Sequence, residues 1–178
     1  YKDGDKPQKI EKFCESILNK ANDVAKIIDI KLPTLVIEPG RSIIGNAGST
    51  LYTVGSIKEI KNIRKYVSVD GGMTDNIRPS LYHAEYECAI ANNVENTSKE
   101  NVAIAGKCCE SGDILLNDTT ISKPESGDIL AVFTTGAYGY SMCSNYNKIP
   151  KPAIVMVKDG KSKLICRRQS FEQIVEDE

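Results

Sequence analysis

Four short segments carry the side chains best suited to chemistry. Glu38-Pro39-Gly40-Arg41 places a carboxylate, a tight turn and a guanidinium after an apolar run. Glycine lets the backbone approach an anion closely, and arginine grips phosphate or carboxylate through paired hydrogen bonds. The same residues also suit a surface turn closed by an ion pair. A second apolar run ends in Asp70-Gly71-Gly72-Met73-Thr74-Asp75-Asn76-Ile77-Arg78-Pro79, where Arg78 is either a further anion clamp or part of a hairpin loop. Gly106-Lys107-Cys108-Cys109-Glu110-Ser111-Gly112-Asp113 sets a thiol beside a carboxylate. In a continuing strand, Cys108 and Cys109 face opposite sides, so one of them at most serves a given site. A thiol there is a nucleophile or proton donor, or simply a small buried apolar residue. Gly136-Ala137-Tyr138-Gly139-Tyr140 and Asn145-Tyr146-Asn147 form a loop region rich in glycine and tyrosine. Its tyrosines either stack on a ligand or pack the loops together.

His83 is the only histidine, which leaves no His-rich metal site, and no metal is expected. The six cysteines, at 14, 88, 108, 109, 143 and 166, include no C-x-x-C pair and read as reduced thiols.

The elements that position these segments come in two styles. Residues 7–28 read as a helix: Ile10, Phe13, Ile17, Ala21, Val24 and Ile28 recur at spacings of 3, 4, 4, 3 and 4 on one face. Pro7 suits its first turn. The helix must stop before Leu32-Pro33. Leu35-Val36-Ile37 then reads as a buried strand, giving one helix–strand step of an α/β fold. Beyond it the spacing predicts strands near 50–58, 65–70, 85–91, 101–107, 128–135, 153–158 and 162–168. Asp159-Gly160 marks a hairpin. Many short strands with polar turns indicate a sandwich or barrel. A short helix is expected at 171–175, and the boundary between the two styles falls near Gly45 to Ser49.

Composition narrows the function. The 178 residues carry 23 Lys and Arg against 24 Asp and Glu, a net charge of −1, which argues against nucleic-acid partners. No apolar run is long enough for a membrane helix, and a cytoplasmic location is expected. The chain begins at Tyr1 rather than Met, so a longer natural polypeptide is expected.

Taken in order, EPGRSIIGNAG, VDGGMTDNIRPSLY, GKCCESGD and TGAYGYSMCSNYN closely resemble the diaminopimelate decarboxylases, pyridoxal-phosphate enzymes of the alanine-racemase-like fold type. The resemblance runs from about residue 30 to 170 and corresponds to the C-terminal part of the family's sequence. It implies a mainly β fold: a C-terminal β-sandwich or barrel domain at 46–178, preceded at 1–45 by the last helix–strand unit of a (β/α)₈ barrel. It implies decarboxylation of meso-2,6-diaminopimelate to L-lysine in a homodimer with shared active sites. By resemblance Glu38 meets the pyridine nitrogen of pyridoxal 5'-phosphate, Gly40 and Arg41 lie at the cofactor phosphate and substrate, and Tyr138 lies at the cofactor. Arg41, Arg78, Tyr82, Glu110 and Tyr138 hold the substrate. Cys109 returns a proton to the α-carbon, and an ordinary thiol, of pKa about 8.5, carries its proton at neutral pH. Cys109 and Glu110 are expected to enter the partner subunit's site. The anchoring lysine and most of the barrel are expected upstream, so the isolated chain is expected to be inactive. Related ornithine, arginine and carboxynorspermidine decarboxylases, or a non-catalytic dimerisation module, are the competing readings. Cys108 and Cys143 depart from the family pattern as additional thiols.

Overall fold

The computed structural model describes Gly4 and residues 6–177. Helix α1 spans Ile10–Ile27. It starts three residues after Pro7, because Lys9 is still extended at ψ 139°. Its end is set by Asp29 in the left-handed region (φ 53°), with Ile30 N–H donating to Ala25 O at 3.0 Å. That pairing satisfies a carbonyl the helix end leaves open. Ala25 is the only buried residue of α1, while Phe13 and Val24 of its apolar face are exposed.

The strand expected at 35–37 does not form. A strand exists through its ladder, and this segment has no ladder partner among the described residues; Val36 is 77% exposed. The chain instead passes into a short helix α2, Arg41–Ile44, and a 3₁₀ turn at Gly45–Ala47.

Eight strands follow: β1 Thr50–Ile60, β2 Arg64–Val69, β3 Cys88–Ile90, β4 Lys99–Ala105, β5 Ile114–Ser122, β6 Ile129–Val132, β7 Ile154–Lys158 and β8 Lys161–Cys166. A five-residue helix α3, Arg78–Tyr82, interrupts them after β2, and α4, Phe171–Ile174, closes the chain with a Ser170/Gln173 capping box. Strand β5 was not anticipated. Its two buried leucines, Leu115 and Leu116, are adjacent, and the β4–β5 register shifts between Ile104 and Ala105. Both features break the alternation that marks a strand.

Six strands form one sheet in the order β3-β6-β1-β2-β4-β5. All neighbours are antiparallel except β2 and β4. The sheet curls until its edges meet: Cys88 Sγ on β3 lies 3.9 Å from Thr119 Oγ1 on β5. The result is a nearly closed barrel whose interior is filled by Val54, Val67, Ile104, Ile121 and Leu130. Strands β7 and β8 form a separate hairpin. Its turn, Asp159-Gly160, has φ of 51° and 70°, as a two-residue hairpin of the I′ kind requires.

Candidate functional site

Three loops leave the sheet, after β2, β4 and β6, and with the Gly40 turn ahead of α2 they carry the reactive side chains. The first two of these segments to meet are the Gly40 turn and the loop after β6. Gly48 and Gly136 sit backbone to backbone, where a Cβ on either would overlap the other chain segment. Thr135 N–H donates to Gly48 O and Gly136 N–H to Gly45 O, each at 3.0 Å. This docking delivers Tyr138 to Gly40: a Cβ on Gly40 would collide with the Tyr138 hydroxyl. Tyr138 itself has φ 63°. A bulky residue in the left-handed region is a local strain, held here by the docked loop.

The Tyr138 ring then gathers both expected cations. Arg41 Cζ lies 5.3 Å from its centroid and Arg78 Cζ 5.7 Å. Arg78 also lies 4.8 Å from the Tyr82 ring, one turn along α3, and its Nη1 reaches Met142 Sδ at 3.8 Å. Gly40, Arg41, Arg78, Tyr82 and Tyr138 thus form one guanidinium–aromatic cluster. Glu38 stands three residues before Arg41 and is exposed.

A second cluster forms on the loop after β4. Cys109 is exposed, and its Sγ lies 3.7 Å from Glu110 Oε1. The Tyr146 hydroxyl donates to the same Glu110 oxygen. That bond lowers the Glu110 carboxyl from its usual range and pushes the Tyr146 phenol up to about 12. Glu110 Oε2 is shielded from solvent and has no hydrogen-bond partner among the described residues. Cys108 points elsewhere: burial first, then the charge of Asp113, push its thiol up to about 11.

Asp113 organises this loop. It is 2% exposed, and its carboxylate accepts Met73 N–H at 2.7 Å and Cys108 N–H at 2.8 Å. Gly72 and Gly106 pack so closely on that carboxylate that neither position has room for a Cβ. Lys107 N–H also donates to Gly71 O at 3.1 Å. The loop leading to Arg78 and the loop carrying Cys109 are therefore stitched together by one buried carboxylate. On its other side the Arg78 loop is held by Asp75, which accepts Gly72 N–H at 2.8 Å and the Tyr52 hydroxyl. Burial raises the Asp75 carboxyl, and burial followed by the Asp75 charge holds the Tyr52 phenol well above its ordinary value. Asp113, Tyr52 and Asp75 were missed as site residues. The available signal was slight: Asp113 follows Ser111-Gly112 and Asp75 lies three residues after Gly71-Gly72, and both look like ordinary turn carboxylates.

Among the described residues, no helix is long and apolar enough to cross a membrane, and no group of three or more His, Cys, Asp or Glu is placed to hold a metal.

The arrangement offers cations and aromatic faces to an anionic planar group, with a thiol and a carboxylate on a neighbouring rigid loop. Comparison with known proteins agrees. Residues 13–136 match the family model described as pyridoxal-dependent decarboxylase, C-terminal sheet domain. The chain is 50% identical over 175 residues to a diaminopimelate decarboxylase of Bacillus subtilis, covering 98% of this chain and 40% of that protein. It is 51% identical over 169 residues to that of Bacillus methanolicus, covering 95% and 39%. A crystal structure of diaminopimelate decarboxylase from M. jannaschii in complex with L-lysine superimposes with a TM-score of 0.87 at 35% identity, over 100% of this chain and 40% of that one. The chain spans about 40% of the length of the relatives it matches. With the family model matching well over half of it, the chain belongs to the pyridoxal-dependent decarboxylases, as their C-terminal sheet domain.

Proposed function

We propose that this chain is the C-terminal part of a diaminopimelate decarboxylase that converts meso-2,6-diaminopimelate to L-lysine and CO₂. Residues 1–45 are then the end of a (β/α)₈ barrel whose larger part is upstream, and 46–178 the β domain. The exposed apolar residues of α1 and the unpaired 35–37 segment support that division, since both have surfaces made for neighbours this chain does not supply. The observation that carries the reading is the convergence of Arg41 and Arg78 on the Tyr138 ring at the Gly40 turn. A substrate with two amino-acid ends and a phosphorylated cofactor together need cationic contacts at more than one point.

The residues fit pyridoxal 5'-phosphate. The turn at Gly40 has no side chain of its own, Arg41 supplies charge for a phosphate, and Tyr138 supplies an aromatic face and a hydroxyl. Glu38 is the carboxylate available to a protonated ring nitrogen. When bound, the cofactor supplies an electron sink for the pair of electrons left by departing CO₂. This chain's own residues do the rest. Arg41 and Arg78 orient the substrate carboxylates. Tyr82 and Tyr138 hold those guanidinium groups by their ring faces. Glu110 faces the distal ammonium. Cys109 Sγ delivers the proton that replaces CO₂ on the α-carbon. Cys109 and Glu110 serve the site of the partner in a homodimer, which makes assembly a condition of turnover.

The test is CO₂ release by the full-length enzyme offered diaminopimelate or ornithine. Release from diaminopimelate is expected, and its absence defeats the proposal. In the same enzyme, Cys109→Ala should lower kcat by at least about 100-fold while the cofactor's absorbance is retained. Unchanged turnover would remove Cys109 from the proton-transfer role.

A further inference from the structure

We infer that Tyr146 is a specificity-determining residue that acts through Glu110, fixing its carboxylate so that one oxygen is reserved for the distal ammonium of the substrate. The assignment rests on the decarboxylase reading above and adds to it a role for a residue that neither grips the substrate nor carries its proton.

The geometry is asymmetric. The two side-chain contacts of the Glu110 carboxylate, the Tyr146 hydroxyl and the Cys109 thiol, both fall on Oε1. Oε2 has neither solvent nor a hydrogen-bond partner among the described residues. A shielded carboxylate oxygen without a donor is costly unless something supplies one. An ammonium group supplies it, with charge. Without the Tyr146 hydroxyl the carboxylate is free to rotate about its last torsion and to spread its two oxygens between Cys109 and solvent.

Tyr146 is itself placed with care. Its loop is held by Asn145, whose side-chain N–H donates to Ile149 O at 2.9 Å and to Gln169 Oε1 at 2.6 Å. Asn147 and Lys148 that follow both have positive φ, 55° and 56°. Such a backbone is kept only where surrounding contacts fix it. The phenol is aimed at Glu110 although Tyr146 is 46% exposed. An exposed ring contributes little to the core, so its position is better explained by the bond it makes than by packing.

The experiment compares wild-type full-length enzyme with Tyr146→Phe on two substrates: diaminopimelate, and 2-aminopimelate, which lacks the distal ammonium. Loss of an oriented hydrogen bond to a charged group predicts a KM for diaminopimelate raised about tenfold, with kcat changed less than about threefold. The preference for diaminopimelate over 2-aminopimelate should fall by about the same tenfold factor. In a Glu110→Ala background, Tyr146→Phe should add nothing, because the residue it acts through is gone. Tyr146→Leu, a different side chain at the same exposed position, should reproduce the loss of preference. An unchanged preference in both variants, a fall in kcat shared equally by the two substrates, or full additivity with Glu110→Ala would each overturn the assignment. Wild-type enzyme that does not decarboxylate diaminopimelate would instead defeat the underlying activity, and this assignment with it.

Discussion

The two reactive clusters are built on opposite principles. Arg41 and Arg78 are held by the faces of Tyr138 and Tyr82, long side chains lying on half-exposed rings. The Cys109–Glu110 loop is held by main-chain hydrogen bonds to a carboxylate that is 2% exposed. Ring faces tolerate small shifts of a guanidinium, so the cationic cluster can follow the shape of what it binds. Charge-assisted hydrogen bonds in a low-dielectric interior are shorter and stronger, and punish displacement. The contrast fits the work proposed for each. A carboxylate can be gripped over a range of positions, whereas a proton must be delivered to one carbon.

The contrast fails most visibly if Asp113 is dispensable. Asp113→Ala leaves Met73 and Cys108 N–H groups buried without an acceptor and opens the space that Gly72 and Gly106 vacate for the carboxylate. A loss of roughly 3–5 kcal/mol of stability is expected, from two charge-assisted bonds and the groups they leave behind. Chemical denaturation followed by circular dichroism measures it. A loss below about 1 kcal/mol would mean that the loop is held by something else.

Tyr52→Phe tests the other anchor of the same platform. It removes the hydroxyl that donates to Asp75 and leaves that half-buried carboxylate with the Gly72 N–H, at a cost of about 1–3 kcal/mol near neutral pH. The pH dependence has a definite sign. The folded protein holds the Tyr52 proton to higher pH than the unfolded chain, whose phenol titrates near 10. The folded state therefore binds more protons above about pH 10, so this contribution is complete below that pH and is lost as pH rises toward the folded value. The wild-type protein should lose stability more steeply above pH 10 than Tyr52→Phe. Equal slopes would assign the alkaline loss to other groups.

Sequence exposed these two regions unequally. Residue type alone left Arg41, Arg78 and Tyr138 open between ligand contacts and ordinary loop packing; it was the family resemblance that implied one site for them, and the structure brings them to one ring. Cys109 and Glu110 were legible as a thiol beside a carboxylate, and they do lie side by side. The residues that hold them were not. Asp113 sits in Ser111-Gly112-Asp113, which looks like any polar turn, and only its contacts across 40 residues to Met73 reveal its role. A sandwich or barrel was expected from the spacing of short strands, yet β5 was overlooked because the buried Leu115 and Leu116 are adjacent and the exposed Asn117-Asp118 follow as a second adjacent pair. Local pattern shows what a residue can do. Which residue holds it there is a non-local fact.

The smallest expected effect lies in the cationic cluster, and it sharpens the contrast from the other side. Tyr138→Ala removes the ring under both guanidinium groups. Cation–π contacts at accessible sites contribute about 0.5–1 kcal/mol each. Alanine keeps the Cβ that makes the φ of 63° strained, so no backbone strain is returned to offset this. The net change in stability should therefore stay at about 1–2 kcal/mol for the two contacts, well below that of Asp113→Ala, while binding of anionic ligands to the full-length enzyme weakens. The measurement is the same denaturation curve set beside the ligand's dissociation constant. A stability loss as large as that of Asp113→Ala would show that the ring is a structural pin, and that the two clusters are equally rigid. A small loss with weakened binding is what an adjustable clamp predicts, since its contacts are worth more to the ligand than to the fold.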